Sequence, residues 1–276
     1  MGPDTAAVYC TSLLQPRCPM TSMRQITLAA LTALLSISLI AGCGAKRQDP
    51  TRDWSPSQLY TEARAALDRG NFDQAVGYYE SLEARYPFSR FAQQAQLEVA
   101  YAYYRADEPD MALAAADRFI QINPRHPYVD YAYYLKGLVN AKRHQGFVDR
   151  WFPRDVRERD PEPLRQAFED FSTLVRNFPD SQYADDARQR MIYLRNMLAG
   201  HELYVAEFYM RRGAWLAAAQ RGRMVVERYH ESDVTLDALE IMVRAYRKLD
   251  LDDLAEDALR VLEVNDAARA ARLRGS

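Results

Sequence analysis

The chain has 276 residues, 48% of them apolar and 27% charged, with a formal net charge of -2. That balance belongs to a folded body of one large domain or two small ones, and it excludes both a disordered chain and the basic field that nucleic acid requires. The three cysteines, Cys10, Cys18 and Cys43, all precede residue 44. Neither disulfides nor a cysteine-built zinc site can hold the rest together, so packing must.

Residues 1–22 carry Pro3, Pro16, Pro19 and two of the cysteines without any apolar periodicity. They read as an upstream extension that is not native, with translation starting at Met20 or Met23. Residues 23–42 read as a signal peptide. Arg24 supplies a positive start, and Ile26 to Ile40 form an apolar run of signal length. Leu39-Ile40-Ala41-Gly42-Cys43 closes the run as a lipobox: small residues admit the peptidase, and the thiol takes the lipid. The expected modification is an S-diacylglyceryl and an N-acyl group on Cys43, with no other cofactor and no metal. The alternative is a membrane-spanning helix. The uncharged stretch from Gln25 to Ala45 is barely long enough for that, at about 20 residues. Gly44 stands where an Asp would favour the inner membrane, which points to a lipid anchor on the periplasmic face of the outer membrane. Residues 43–54 then form a polar tether. Gly44 to Trp54, fully extended, reach about 36 Å.

Past residue 55 apolar residues recur at helical spacing, with no β-alternation. Four junctions align, at Tyr86-Pro87, Asn123-Pro124, Phe178-Pro179 and Tyr229-His230. Eight residues after each anchor stands Ala95, Ala132, Ala187 or Ala238. Twelve before stands Ala75, Ala112, Ala167 or Ala218. Ala63, Ala100 and Gly137 form a third small-residue series, 37 apart. These features resemble the tetratricopeptide repeat, two antiparallel helices whose small residues allow close approach and whose proline ends the second helix. The expected fold is all-α, a solenoid of about five helix pairs. Residues 55–179 hold three repeats with an insertion at 145–161, where Asp160-Pro161 restarts a helix. Residues 180–265 hold two more, and residues 266–276 read as a frayed tail. Tyr183 to Arg212 forms one long helix or two broken at Gly200. Gly70 and Gly213 sit where turns between helices are expected.

No phosphate loop, H-E-x-x-H or G-x-S-x-G occurs. His201-Glu202 opens like a zinc motif, but Val205 stands where the second His belongs. His230 replaces a junction proline. Asp185-Asp186 and Asp252-Asp253 sit early in helices, where they favour the positive end of the dipole. An enzyme is not expected. The repeat grid places Tyr79 and Tyr103 at packing positions. It places Tyr60, Tyr101, Tyr104, Tyr131 and Tyr134 on the inner face of the first helices, with Arg64 nearby. Such a groove suits an extended apolar peptide with a terminal carboxylate. Packing between repeats is the other reading of the same tyrosines.

The lipobox, tether, repeats, Arg159-Asp160-Pro161 and the run from Ser181 to Trp215, with Tyr204, Ala206, Glu207, Tyr209, Arg212 and Gly213, resemble the BamD family of lipoproteins of the β-barrel assembly machinery. His230 departs from that family's usual proline. The resemblance implies binding to the periplasmic domain of BamA through the C-terminal repeats, contacts with other lipoproteins of the complex, and recognition of the C-terminal segment of unfolded outer-membrane proteins by the N-terminal repeats. Arg221 matches a family position at the BamA contact, so Arg221→Glu is expected to weaken that contact and spare helicity. A periplasmic tetratricopeptide adaptor of cell-wall synthesis or division is the alternative function. Such adaptors carry a soluble signal and a coiled-coil segment, and this chain has a lipobox and no heptad run.

Overall fold

The computed structural model describes residues 50–143 and 155–275. Cys43, the signal and most of the insertion lie outside these residues. Trp54 to Ser276 form one compact unit. Among the described residues there are eleven α-helices and no strand.

Five antiparallel pairs run in order. They are α1 (Pro56–Asp68) with α2 (Phe72–Arg85), α3 (Arg90–Arg105) with α4 (Pro109–Ile122), and α5 (Val129–Arg143) with α6 (Glu162–Asn177). Then come α7 (Ala184–Arg211) with α8 (Trp215–Arg228), and α9 (Thr235–Lys248) with α10 (Asp252–Asn265). Each helix packs on its neighbours in sequence. First helices also touch across repeats, α1 with α3, α3 with α5 and α7 with α9. The first helices therefore crowd the inner face of the array.

The repeat alanines explain the spacing. All eight that flank the four junctions are completely buried, as are Ala63 and Ala100. Gly137 goes further: a Cβ there would lie 2.5 Å from the ring of Phe171 on α6. Only a hydrogen fits at that crossing. A charged knot stitches the same region. Lys136 on α5 reaches Asp117 on α4 at 2.8 Å and Asp170 on α6 at 3.1 Å, and Asn140 donates to Asp170 at 2.8 Å. Burial pushes the Asp170 carboxyl up, against the pull of Lys136.

Two turn types repeat. Within pairs, Gly70, Asp107, Gly213 and Asp250 take positive φ, of 80°, 65°, 72° and 56°. The residue after each returns its N–H to a carbonyl of the last helical turn, at 2.9–3.0 Å. Asp serves twice where Gly is usual, since a short polar side chain tolerates the left-handed region. Between pairs, Tyr86, Asn123, Phe178 and Tyr229 share φ from -124° to -134° and each donates to the carbonyl four residues back. Tyr229, before His230, keeps this φ and this hydrogen bond without a following proline, while its ψ is 33° against 54–61° at the three proline junctions. The helix-ending hydrogen bond therefore forms without the pyrrolidine ring, and ψ of the preceding residue relaxes.

One alternative is decided and two expectations change. α7 is one helix of 28 residues, unbroken at the buried Gly200. The helix after the insertion begins at Glu162 rather than Pro161: Pro161 occupies the cap position, and Asp160 accepts the Glu162 N–H at 3.0 Å. The end does not fray. Ala267–Arg274 form α11, capped by the Asp266 side chain, with Ala270 and Leu273 buried against α9 and α10 residues. Two apolar residues one turn apart are too few to show as a stripe in sequence, yet they close the last exposed helix face of the solenoid.

Candidate functional site

The sequence nominated one groove, one interface residue and one lipid site. Cys43 lies outside the described residues. The groove tyrosines lie on the first helices α1, α3 and α5, and all five are half-buried. Tyr79 is fully buried, and Tyr103 is half-buried against the same cores.

At the first repeat the Tyr60 ring packs 5.8 Å from Tyr79 and 5.3 Å from Phe91. Its hydroxyl donates to Glu98 at 3.4 Å, and Arg64 donates to the same carboxylate oxygen at 2.6 Å. Burial, and next the Glu98 charge, push the Tyr60 phenol up to about 12. Tyr101 and Tyr104 pair at 6.3 Å. In the third repeat Tyr134 stacks on Tyr183 at 4.8 Å, 20° from parallel, and Tyr131 lies 5.3 Å from the same ring. Thus Tyr60, through Phe91, and Tyr131 and Tyr134, through Tyr183, each keep one face against the next repeat. Their burial is partly inter-repeat packing, as the second reading of these residues held.

Arg64, offered as the carboxylate partner, is engaged by Glu98. Sequence reasoning missed Glu98, because a lone Glu in the middle of a helix carries no pattern. The sum is a strip with aromatic faces and tethered hydroxyls, suited to hold the side chains of an extended segment by ring contact.

The Tyr134 hydroxyl donates to Asp186 at 2.6 Å, and Arg190 donates to the same oxygen at 2.5 Å. Those bonds hold the Asp186 carboxyl below its ordinary value of 3.8. A carboxyl lowered on folding stabilises the fold above its unfolded value, and the gain is lost as pH falls through the folded value. Asp186→Asn should therefore lower the melting temperature at neutral pH and converge with wild type below about pH 4, which flattens the acid limb. An acid limb as steep as that of wild type would show that folding does not lower this carboxyl.

Arg221 on α8 is half-exposed and reaches inward. It donates to Glu202 on α7 at 2.7 Å, and Arg165 on α6 lies 3.5 Å from the other Glu202 oxygen. Glu202 is 1% exposed. Three helices from two repeats thus meet at one buried carboxylate. His201, the false start of a zinc motif, turns its Nδ1 to the Arg157 carbonyl at 2.8 Å, and Tyr204 donates to Glu158 at 2.7 Å. The 3-10 turn Val156–Glu158, which ends the insertion, is so fastened to the middle of α7. Among the described residues no cluster of metal-ligating side chains occurs, and no helix is long and apolar enough to cross a membrane.

A solenoid of five helix pairs with an aromatic inner strip is a tetratricopeptide scaffold, a class that presents repeat faces to protein segments. The family described as YfiO, outer membrane lipoprotein, matches residues 52–262. Relatives named outer membrane protein assembly factor BamD are 45% identical in Neisseria meningitidis serogroup B, over 88% of this chain and 91% of that one. They are 44% identical in Neisseria gonorrhoeae, over the same shares, and 40% identical in Vibrio cholerae, over 85% and 97%. The chain belongs to this family of outer-membrane lipoproteins.

Proposed function

We propose that this chain is a non-catalytic scaffold of the outer-membrane β-barrel assembly machinery. It is held on the periplasmic face of the outer membrane by lipid on Cys43. Its C-terminal repeats bind the periplasmic domain of BamA, and its N-terminal repeats take up the C-terminal segment of unfolded outer-membrane proteins. Contacts with other lipoproteins of the complex complete the assembly. The observation that carries the reading is the tyrosine strip along α1, α3 and α5, set in a chain of this family.

Tyr rings offer apolar area at a low cost in side-chain entropy, which suits clients that share a pattern rather than a sequence. Multiple acyl chains, at about 0.8 kcal/mol per buried methylene, anchor stably. The test is a pull-down from detergent-solubilised outer membranes, with wild type and Cys43→Ala. Wild type should retain a β-barrel protein with a periplasmic domain. Cys43→Ala should move to the soluble periplasmic fraction in cells depleted of BamA. A pull-down that yields cell-wall synthases instead would overturn the function. A variant that stays in the membrane without BamA would overturn the anchor.

A further inference from the structure

Four cations lie beside the groove tyrosines, and three of them hold a carboxylate. Arg64 pairs with Glu98 at 2.6 Å, and Arg190 with Asp186 at 2.5 Å. Lys142, whose ammonium lies 5.3 Å from the Tyr104 ring, pairs with Asp107 at 2.7 Å. Arg105 differs. It ends α3, is exposed, and forms no ion pair among the described residues; Asp68 acts on it only from longer range. Its guanidinium carbon stands 5.7 Å from the ring centroids of both Phe72 and Tyr101, and it donates to the Tyr101 hydroxyl at 3.0 Å.

Those contacts place the cation without spending it. Two ring faces attract the guanidinium from the first and second repeats. One hydrogen bond uses one of five donors, and the others stay available in a planar fork that matches a carboxylate. A carboxylate arriving at Arg64 would instead meet the Glu98 charge within a few ångströms, and like charges so close repel.

We propose that Arg105, held between Phe72 and Tyr101, receives the terminal carboxylate of the peptide bound along the tyrosine strip, with the Tyr101–Tyr104 pair taking the aromatic side chain that ends it. The assignment rests on the reading of the strip as a peptide site. It moves recognition of charge from Arg64 to Arg105.

The test titrates a fluorescent ten-residue peptide, alternating apolar residues and ending in Phe, against the detergent-solubilised full chain. The peptide is used with a free C-terminal carboxylate and with a C-terminal amide. Wild type should bind the acid about tenfold more tightly than the amide, the scale of a charge-assisted pair discounted for exposure. Arg105→Gln should bind both forms as wild type binds the amide. Arg64→Gln should keep the preference. A preference that survives Arg105→Gln, or is lost in Arg64→Gln, overturns the assignment. Equal binding of acid and amide by wild type also overturns it while leaving the peptide groove standing. Failure of wild type to bind either form removes the groove, and the assignment with it.

Discussion

Arg221→Glu should lower the melting temperature by roughly 6–12 °C. The change places a second carboxylate at the position from which Arg221 now donates to Glu202 at 2.7 Å. Glu202 is 1% exposed and cannot retreat to water. Removing one partner of a buried pair costs about 3–5 kcal/mol. Arg165 still lies 3.5 Å away and Arg221 is itself 37% exposed, so the low end of that range applies, about 3 kcal/mol. In a domain of this size that is a loss of several degrees. The double variant Glu202→Gln with Arg221→Gln should recover most of it, because a neutral amide pair leaves no buried charge. Thermal melts of the two variants decide the matter. If Arg221→Glu melts as wild type, the internal role is wrong. The outcome also changes how an interface assay must be read. From sequence alone Arg221→Glu was expected to spare the fold, and loss of BamA binding would then have placed Arg221 at the contact. With Glu202 behind it, the same loss could follow from local unfolding. The double variant separates the two: if it melts as wild type and loses BamA, Arg221 touches the partner as well.

Gly137→Val should cost about 3 kcal/mol, and Gly137→Ala about 1–2. Alanine gains about 1 kcal/mol of helix propensity over glycine in an open helix. Here its methyl would lie 2.5 Å from Phe171 Cε1 and 2.6 Å from Cζ. Phe171 is fully buried among Leu164, Ala167 and Leu174, with the Tyr134 ring 5.8 Å away, so it has nowhere to go. Overpacking of this kind costs about 1–3 kcal/mol and outweighs the propensity. Gly77 on α2 is the control. A Cβ there meets nothing within 4 Å, and Gly77→Ala should stabilise by about 0.5–1 kcal/mol. Urea denaturation of the three variants measures all of this. Phe171→Leu should make Gly137→Ala less harmful than in the wild-type background, since the pair shares one space. A Gly137→Ala variant as stable as wild type would mean that α5 and α6 can part at no cost.

How much of this was legible follows from how local each determinant is. Helix period, small residues at fixed offsets and junction prolines are written along the chain, because each reflects a short-range steric demand. They sufficed for an all-α solenoid of five pairs, for the placement of Tyr60, Tyr101, Tyr104, Tyr131 and Tyr134 on the first helices of their pairs, and for the resemblance that the family match bears out. His230 shows the margin of that code: without proline the junction keeps the φ of Tyr229 and its N–H bond to Val225, while ψ alone shifts, to 33°. What the tertiary structure decided are the contacts made across many residues. Glu98 claims Arg64 from 34 residues away, Glu202 claims Arg221 from 19 residues away on the next helix, and Leu273 fastens α11 under α9 and α10. Each is an ordinary residue at an ordinary helical position, and a partner distant in sequence leaves no periodic trace. Pairing and burial of charge depend on where whole helices come to rest. The tyrosines' place on the first helices was therefore readable from the repeat, while which of the cations beside them remain unpaired was settled only by the packing of one repeat on the next.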